Sequence, residues 1–178
     1  VGTPSAASPP QPVPTWTPTS PPPTATVTAV PQEQGAPTLN PAAEPNFGSF
    51  PFPNDSGRDP FALAIVSGGR VNVGALGAGC IGFASIAPDV VMSWSGDGFL
   101  RFFVVPQGLG DTALVIQEPG GTLACNDDSF DTLNPTLSYD PAPPGLYRVW
   151  VASLNEGTSI DGTLFVTRNA EFNPAQDW

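Results

Sequence analysis

Short apolar runs separated by turn-forming residues recur from residue 61 to residue 167, and this pattern constrains the fold more than any other feature. The runs contain four to eight residues rich in β-branched and aromatic side chains: FALAIV, RVNVG, CIGFAS, DVVMSW, LRFFVV, TALVIQ, TLAC, TLSY, LYRVWVAS and GTLFVT. Turn signals such as SGG, GALGAG, SGDG and EPGG separate them. No segment shows helical periodicity with capping residues. Many short strands at this spacing predict an all-β fold, with a β-sandwich over residues 47–178.

Residues 1–46 have a different composition. They hold 13 of the 24 prolines and only two charged residues, Glu33 and Glu44. Such a segment cannot bury enough apolar surface to offset the entropy of ordering it. We therefore expect an extended Pro/Thr-rich tail, of which residues 31–46 would form a spacer of up to about 50 Å.

One stretch of the tail, TATVTAV at residues 24–30, has the period of a strand. Threonines alternate with small apolar residues, and prolines at positions 21–23 and 31 bracket the run. The predicted linking strand consists of Thr24, Ala25, Thr26, Val27, Thr28, Ala29 and Val30. It can satisfy its backbone by adding to an open sheet edge. Addition to its own domain leaves a monomer, whereas addition to the next subunit gives a head-to-tail filament.

Threonines close to prolines are also typical of O-glycosylated linkers. The candidate acceptors are Thr15, Thr17, Thr19, Thr24, Thr26 and Thr28. The alternative is an unmodified stalk.

The charge balance excludes several classes of function. The chain has five Lys+Arg, all of them Arg, against 16 Asp+Glu, for a net charge of -11. Almost nothing is available to neutralise the phosphates of a nucleic acid or an anionic membrane surface. No apolar run approaches the ~20 residues that span a bilayer. We expect neither a nucleic-acid partner nor a membrane span.

Catalysis is not expected either. Without histidine there is no Ser-His-Asp or Cys-His pair, and without lysine there is no Walker lysine or Schiff base. Carboxylate pairs of the glycosidase type remain as the alternative.

The two cysteines, Cys80 and Cys125, are too few for a thiolate zinc site in a chain without histidine. They are also too far apart for a CxxC redox motif. We expect a disulfide between them, which would contribute about 4 kcal/mol by the chain-entropy model. Two buried free thiols are the alternative.

The loop CNDDSFDTLNP is the strongest candidate for a metal site. Asn126, Asp127, Asp128 and Asp131 follow one another closely, and Asp111 lies upstream. Clustered carboxylate and amide oxygens are the ligands that calcium prefers, so Ca²⁺ is a candidate cofactor. The D-x-D-x-D-G order of an EF-hand is absent. The alternative is a set of Asx turns in which these side chains cap their own backbone.

Two of the predicted strands, LRFFVV and LYRVWVAS, carry two large aromatic residues each. Phe102, Phe103, Tyr147 and Trp150 are expected at buried or half-buried strand positions, with a sugar-binding platform as the alternative.

The order of motifs over residues 62–168 resembles the bacterial pre-peptidase C-terminal family. A strand runs through Asp-Thr into TALVIQ, the CNDD loop follows, and the segments YRVWV and GTLFVT close the pattern. The resemblance implies a jelly-roll-like sandwich of a secreted bacterial protein, in a family with members attached to proteases. Some relatives of this family bind calcium or polymers, so the resemblance also implies that this domain could bind either.

Together these features predict a structural subunit of an extracellular bacterial filament, whose N-terminal tail links subunits by strand addition. The alternative is a cell-surface binding or accessory module, stabilised by calcium, that presents a polysaccharide- or protein-binding surface on a glycosylated stalk. Both interpretations place the chain outside the cell.

Overall fold

The computed structural model describes residues 36–53 and 57–176, which fold into two β-sheets packed face to face. The predicted all-β sandwich is confirmed. The first sheet contains β1 (Ser49–Phe52), β3 (Val71–Asn72), β4 (Phe83–Ala84), β5 (Val90–Trp94), β7 (Thr112–Gln117), β8 (Leu123–Asn126) and β10 (Gly145–Ser153). The second sheet has the order β2 (Phe61–Ser67), β11 (Ile160–Thr167), β6 (Leu100–Pro106) and β9 (Thr136–Tyr139).

Strand β10 is the centre of the first sheet. It pairs antiparallel with β5 and β4, and also with β7, which pairs with β8. Strand β1 is parallel to β5 and ends the sheet. Every pairing in the second sheet is antiparallel.

The core lies between the two sheets because inward positions alternate with outward ones along each strand. The residues that fill it are buried hydrophobic side chains: Phe52, Ile65, Val90, Met92, Trp94, Leu100, Phe102, Val104, Leu114, Ile116, Ala142, Tyr147, Val149, Val151, Leu164 and Val166.

A second apolar layer covers the outer face of the first sheet. Trp150, Val115 and Ala152 point away from the main core and pack under Val73 and Cys80. Val73 begins a short 3-10 helix, Val73–Leu76, inside the glycine-rich segment.

Packing also covers part of the second sheet's outer face. Phe103 stacks on Phe165 at 4.8 Å between ring centroids and on Phe172 at 5.5 Å. Arg101 donates a hydrogen bond to the Phe172 carbonyl, so the chain after β11 lies against its own domain. Phe102, Phe103, Tyr147 and Trp150 are all fully buried, which confirms the prediction of core positions.

Main-chain hydrogen bonds hold residues on both sides of the predicted boundary at residue 46. Asn40 donates its backbone N–H to the Ile86 carbonyl at 2.8 Å, and Phe47 donates to the Asp89 carbonyl at the same distance. Composition suggested a free spacer because proline and alanine dominate these residues, but main-chain hydrogen bonds fix them. No helix among the described residues is long and apolar enough to cross a membrane.

Candidate functional site

The N-terminal segment is fastened to the sandwich by Asn46 and the buried Asp89. The Asn46 side-chain amide donates to the Asp89 carboxylate at 2.9 Å, and the Asn46 backbone N–H donates to the Pro88 carbonyl. The other oxygen of Asp89 accepts from the backbone N–H of Val151, in β10, at 2.7 Å. One carboxylate therefore links the arriving chain to the central strand of the first sheet.

Burial dominates the electrostatics of Asp89, which is only 1% exposed. Removal from water raises the pKa of Asp89 to about 6, against the lowering effect of the hydrogen bonds from Val151, Asn46 and Ser85. The protonation state of Asp89 therefore changes in a mildly acidic range.

A second fastening lies upstream. The Arg148 side chain, in β10, donates to the Pro41 carbonyl at 2.8 Å. With residues 40–47 held in this way, residues 31–39 separate the predicted linking strand from the first anchored residue. Nine residues reach at most about 30 Å, less than the expected spacer.

Asn126 organises the acidic loop. Its side-chain oxygen accepts hydrogen bonds from the Ser129 hydroxyl at 2.8 Å and from the Thr136 backbone N–H at 2.7 Å. Its amide nitrogen donates to the Asp128 carbonyl at 3.0 Å. These are the bonds of an Asx-type loop, so the Asn126 oxygen already serves the loop itself.

Three of the predicted ligands lie near one another. The pKa of Asp111 is raised by its burial and then by the negative charges of Asp128 and Asp127, against a hydrogen bond from Thr112. One Asp111 oxygen is buried and has no hydrogen-bond partner among the described residues. Within residues 36–53 and 57–176, however, no three acidic or cysteine side chains form a group that could hold a metal ion. Calcium binding stays a prediction.

The tip of the acidic loop exposes apolar side chains. Phe130 and Asp131 both have left-handed backbone conformations, with φ of 54° and 58°. Phe130 is 44% exposed and lies under the Arg101 guanidinium, at 5.4 Å from the ring centroid. Phe130, Asp131 and Leu133 line a shallow surface depression of about 590 Å³.

Cys80 and Cys125 form the predicted disulfide, with 5.0 Å between their Cα atoms. The bond ties β8 to the segment after the 3-10 helix and closes the apolar layer over Trp150. Disulfides persist in oxidising compartments, so the bond is compatible with a secreted protein.

The open edges of the sheets are the remaining feature of interest. Strands β1 and β2 lie side by side at one edge of the sandwich, where the Phe50 and Phe61 ring centroids are 5.4 Å apart. Phe47, Phe50, Phe61 and Leu63 are only partly buried there. One side of the hydrophobic core is thus half covered.

Residues 24–30, the predicted linking strand, and the six candidate threonines lie outside the described residues. Of the residues that shape the site, sequence reasoning missed Asn46, Asp89 and Arg148. The sequence carries no signal for them, because Asn46 and Asp89 are 43 positions apart and neither belongs to a motif.

The solved structures that match this chain include two bacterial proteins. The pre-peptidase C-terminal domain of a collagenase from Bacillus anthracis is 13% identical, with a TM-score of 0.39, covering 72% of this chain and 98% of that chain. PliG of Aeromonas hydrophila, a periplasmic inhibitor of g-type lysozyme, is 13% identical, with a TM-score of 0.38, covering 67% and 94%. The first belongs to the family that the sequence resembles. No protein-family model and no curated protein matches the sequence.

Proposed function

We propose that this chain is a non-catalytic structural subunit of an extracellular bacterial filament, in which the N-terminal tail of one subunit adds a strand to the sandwich of the next. The observation that carries the proposal is the anchoring of residues 40–47. Backbone bonds at Asn40 and Phe47 and the Asn46–Asp89 contact fix the point from which the tail leaves. A tail that starts from a fixed point can place its strand only within the reach of the residues between them.

The chemistry of the tail suits this role. Residues 24–30 are uncharged, so they approach a neighbour of net charge -11 without like-charge repulsion. Their backbone groups need partners wherever water is excluded, and an open sheet edge supplies a full row of them.

The contact is heterologous, since the tail of one copy meets the sheet of another. Repetition of such a contact gives an open filament unless the rotation closes into a ring. The partner is therefore the chain itself, with O-linked glycans on the tail threonines as the accompanying modification. Neither nucleic acid nor a membrane span forms part of the proposal.

The proposal is tested by breaking the linking strand in the full chain. Val27→Pro removes a backbone donor from the middle of the strand, and Val27→Thr is the matched control that keeps β propensity. Sedimentation should recover polymer from the control and only monomer from the proline variant. Polymer from both variants would contradict linkage through residues 24–30.

A second candidate function, a cell-surface binding or accessory module, is favoured by the tip of the acidic loop. Exposed Phe130 and Leu133 lie beside carboxylates, which suits a protein or polysaccharide ligand. A full chain that stays monomeric in every condition would favour this function, and loss of ligand binding in Phe130→Ser would test it.

A further inference from the structure

We infer that the free edge of β2 is the acceptor of the linking strand, and that its occupant is residues 24–30 of a second copy of this chain. The inference rests on the proposed function and deepens it by naming the surface. Three observations carry it: the backbone groups at the β2 edge, the nature of the competing edges, and the length of the spacer.

The direction of the β2 backbone groups follows from the ladder of the second sheet. Gln107 donates its N–H to the Asp161 carbonyl, on the β6 side of β11. Successive residues of a strand point their backbone groups to opposite sides, so Gly162 and Leu164 point towards β2. The residues paired with them, Ile65 and Leu63, therefore direct their backbone N–H and C=O groups towards β11.

The alternate residues of β2, Ala62, Ala64 and Val66, consequently direct their N–H and C=O groups to the outer side. In the described part of the chain β2 pairs with β11 alone, at the end of its sheet. The same three residues have exposed side chains, and Val66 is 41% exposed. A row of unpaired backbone groups flanked by small apolar side chains is a template for another strand.

The competing edges are each blocked or short. Strand β1 contains Pro51 and is followed by Pro53, and proline cannot donate to a ladder. Strand β3 has two residues, and β8 and β9 have four residues each. Strand β8 also contains Cys125 of the disulfide and leads into the acidic loop. Strand β2 has seven residues without internal proline or charge, which matches the seven residues of TATVTAV.

The two faces of the added strand suit their surroundings. A strand beside β2 continues the second sheet, with one face towards the half-covered aromatic residues and the other towards solvent. Ala25, Val27 and Ala29 form the apolar face, which would cover Phe47, Phe50 and Phe61. The threonine face would then be exposed, where O-glycans do not interfere with pairing.

The length of residues 31–35 indicates whether the strand at the β2 edge comes from the chain's own tail or from a second copy. Ala36 and Arg70 line the same surface cavity of about 540 Å³, and Arg70 follows the last residue of β2 by three positions. Six positions separate Val30 from Ala36 and span at most about 20 Å, so the C-terminal end of β2 is the part of that strand that the chain's own Val30 reaches most readily. The own strand would then pair in parallel with β2, which is the less stable arrangement, whereas a second copy can add antiparallel.

The test uses residue-resolved hydrogen exchange on fibres of the full, unmodified chain. With the edge occupied, the amides of Ala62, Ala64 and Val66 should exchange as slowly as those of Leu63 and Ile65, slowed by roughly a hundredfold or more. An alternating pattern, slow at Leu63 and Ile65 but fast at the other three, would overturn the inference while leaving the polymer intact. Slow exchange at all five amides of a monomer would mean that the own tail occupies the edge, and would also overturn it.

Two variants of the full chain test the acceptor edge by fibre formation, independently of hydrogen exchange. Ala64→Pro removes an outward N–H that β11 does not use, and Ala64→Val keeps it. Loss of fibres in the proline variant alone, at an unchanged unfolding temperature, supports the inference. Fibres from Ala64→Pro would contradict the β2 edge as the acceptor but would leave the proposed filament function standing. Absence of fibres from the unmodified chain would overturn both the acceptor edge and the filament function.

Discussion

The side-chain amide of Asn46 donates a hydrogen bond to the carboxylate of Asp89 at 2.9 Å, and this contact joins the N-terminal segment to the centre of the first sheet. Asp89 is buried and also accepts from Val151 in β10. Removal of the amide would leave one oxygen of a buried carboxylate with only the Ser85 hydroxyl at 3.2 Å.

Asn46→Ala should lower the free energy of unfolding by about 1–3 kcal/mol, because the Oδ1 atom of buried Asp89 loses the nearer of its two hydrogen-bond donors. Urea denaturation of the full chain measures the effect. The matched control is Asn155→Ala, an exposed loop position at which the change should stay within about 0.5 kcal/mol. Equal losses in the two variants would mean that the Asn46 contact does not hold the segment.

The pH dependence of stability should carry the signature of Asp89. Burial raises its pKa from 3.8 to about 6 in the folded protein, so between these values the folded state binds more protons than the unfolded state. The contribution of Asp89 is therefore largest at low pH and is lost as pH rises through about 6, by up to about 3 kcal/mol. Asp89→Asn should remove this slope. A variant with the same pH profile as the parent chain would contradict the assignment.

Removal of the disulfide should destabilise the fold without abolishing it. Replacement of both Cys80 and Cys125 by alanine should reduce the free energy of unfolding by about 4 kcal/mol. Reduction of the parent chain should produce a similar loss, and reductant should leave the double variant unchanged. Identical denaturation midpoints for parent and variant would show that the covering layer over Trp150 does not need the bond.

Calcium should stabilise the folded chain if it binds at the acidic loop. A cation near Asp111, Asp127 and Asp128 would offset the repulsion that contributes to the raised pKa of Asp111. At a calcium concentration a hundred times the dissociation constant, the free energy of unfolding should rise by about 2.7 kcal/mol. Asp128→Asn should reduce the effect. Equal unfolding temperatures with calcium and with chelator would exclude the site.

The strands that could be predicted from sequence are those with uninterrupted β-branched or aromatic runs, such as β2, β6 and β10. Strand β1 escaped prediction because its sequence, SFPF, contains proline. It forms a strand through parallel pairing with β5. The anchoring of residues 40–47 escaped prediction because main-chain bonds such as Asn40 to Ile86 leave no trace in composition. The acidic loop was recognisable, but the use of the Asn126 oxygen by Ser129 and Thr136 depends on the folded loop.

Electron microscopy of the full chain, beside a chain that begins at Gly35, shows whether the N-terminal tail links subunits. The shorter chain keeps every described contact of the sandwich and lacks residues 1–34. We expect regular beaded fibres from the full chain and separate particles from the shorter one. Fibres from the shorter chain, or separate particles from both, would contradict the claim that the tail links subunits.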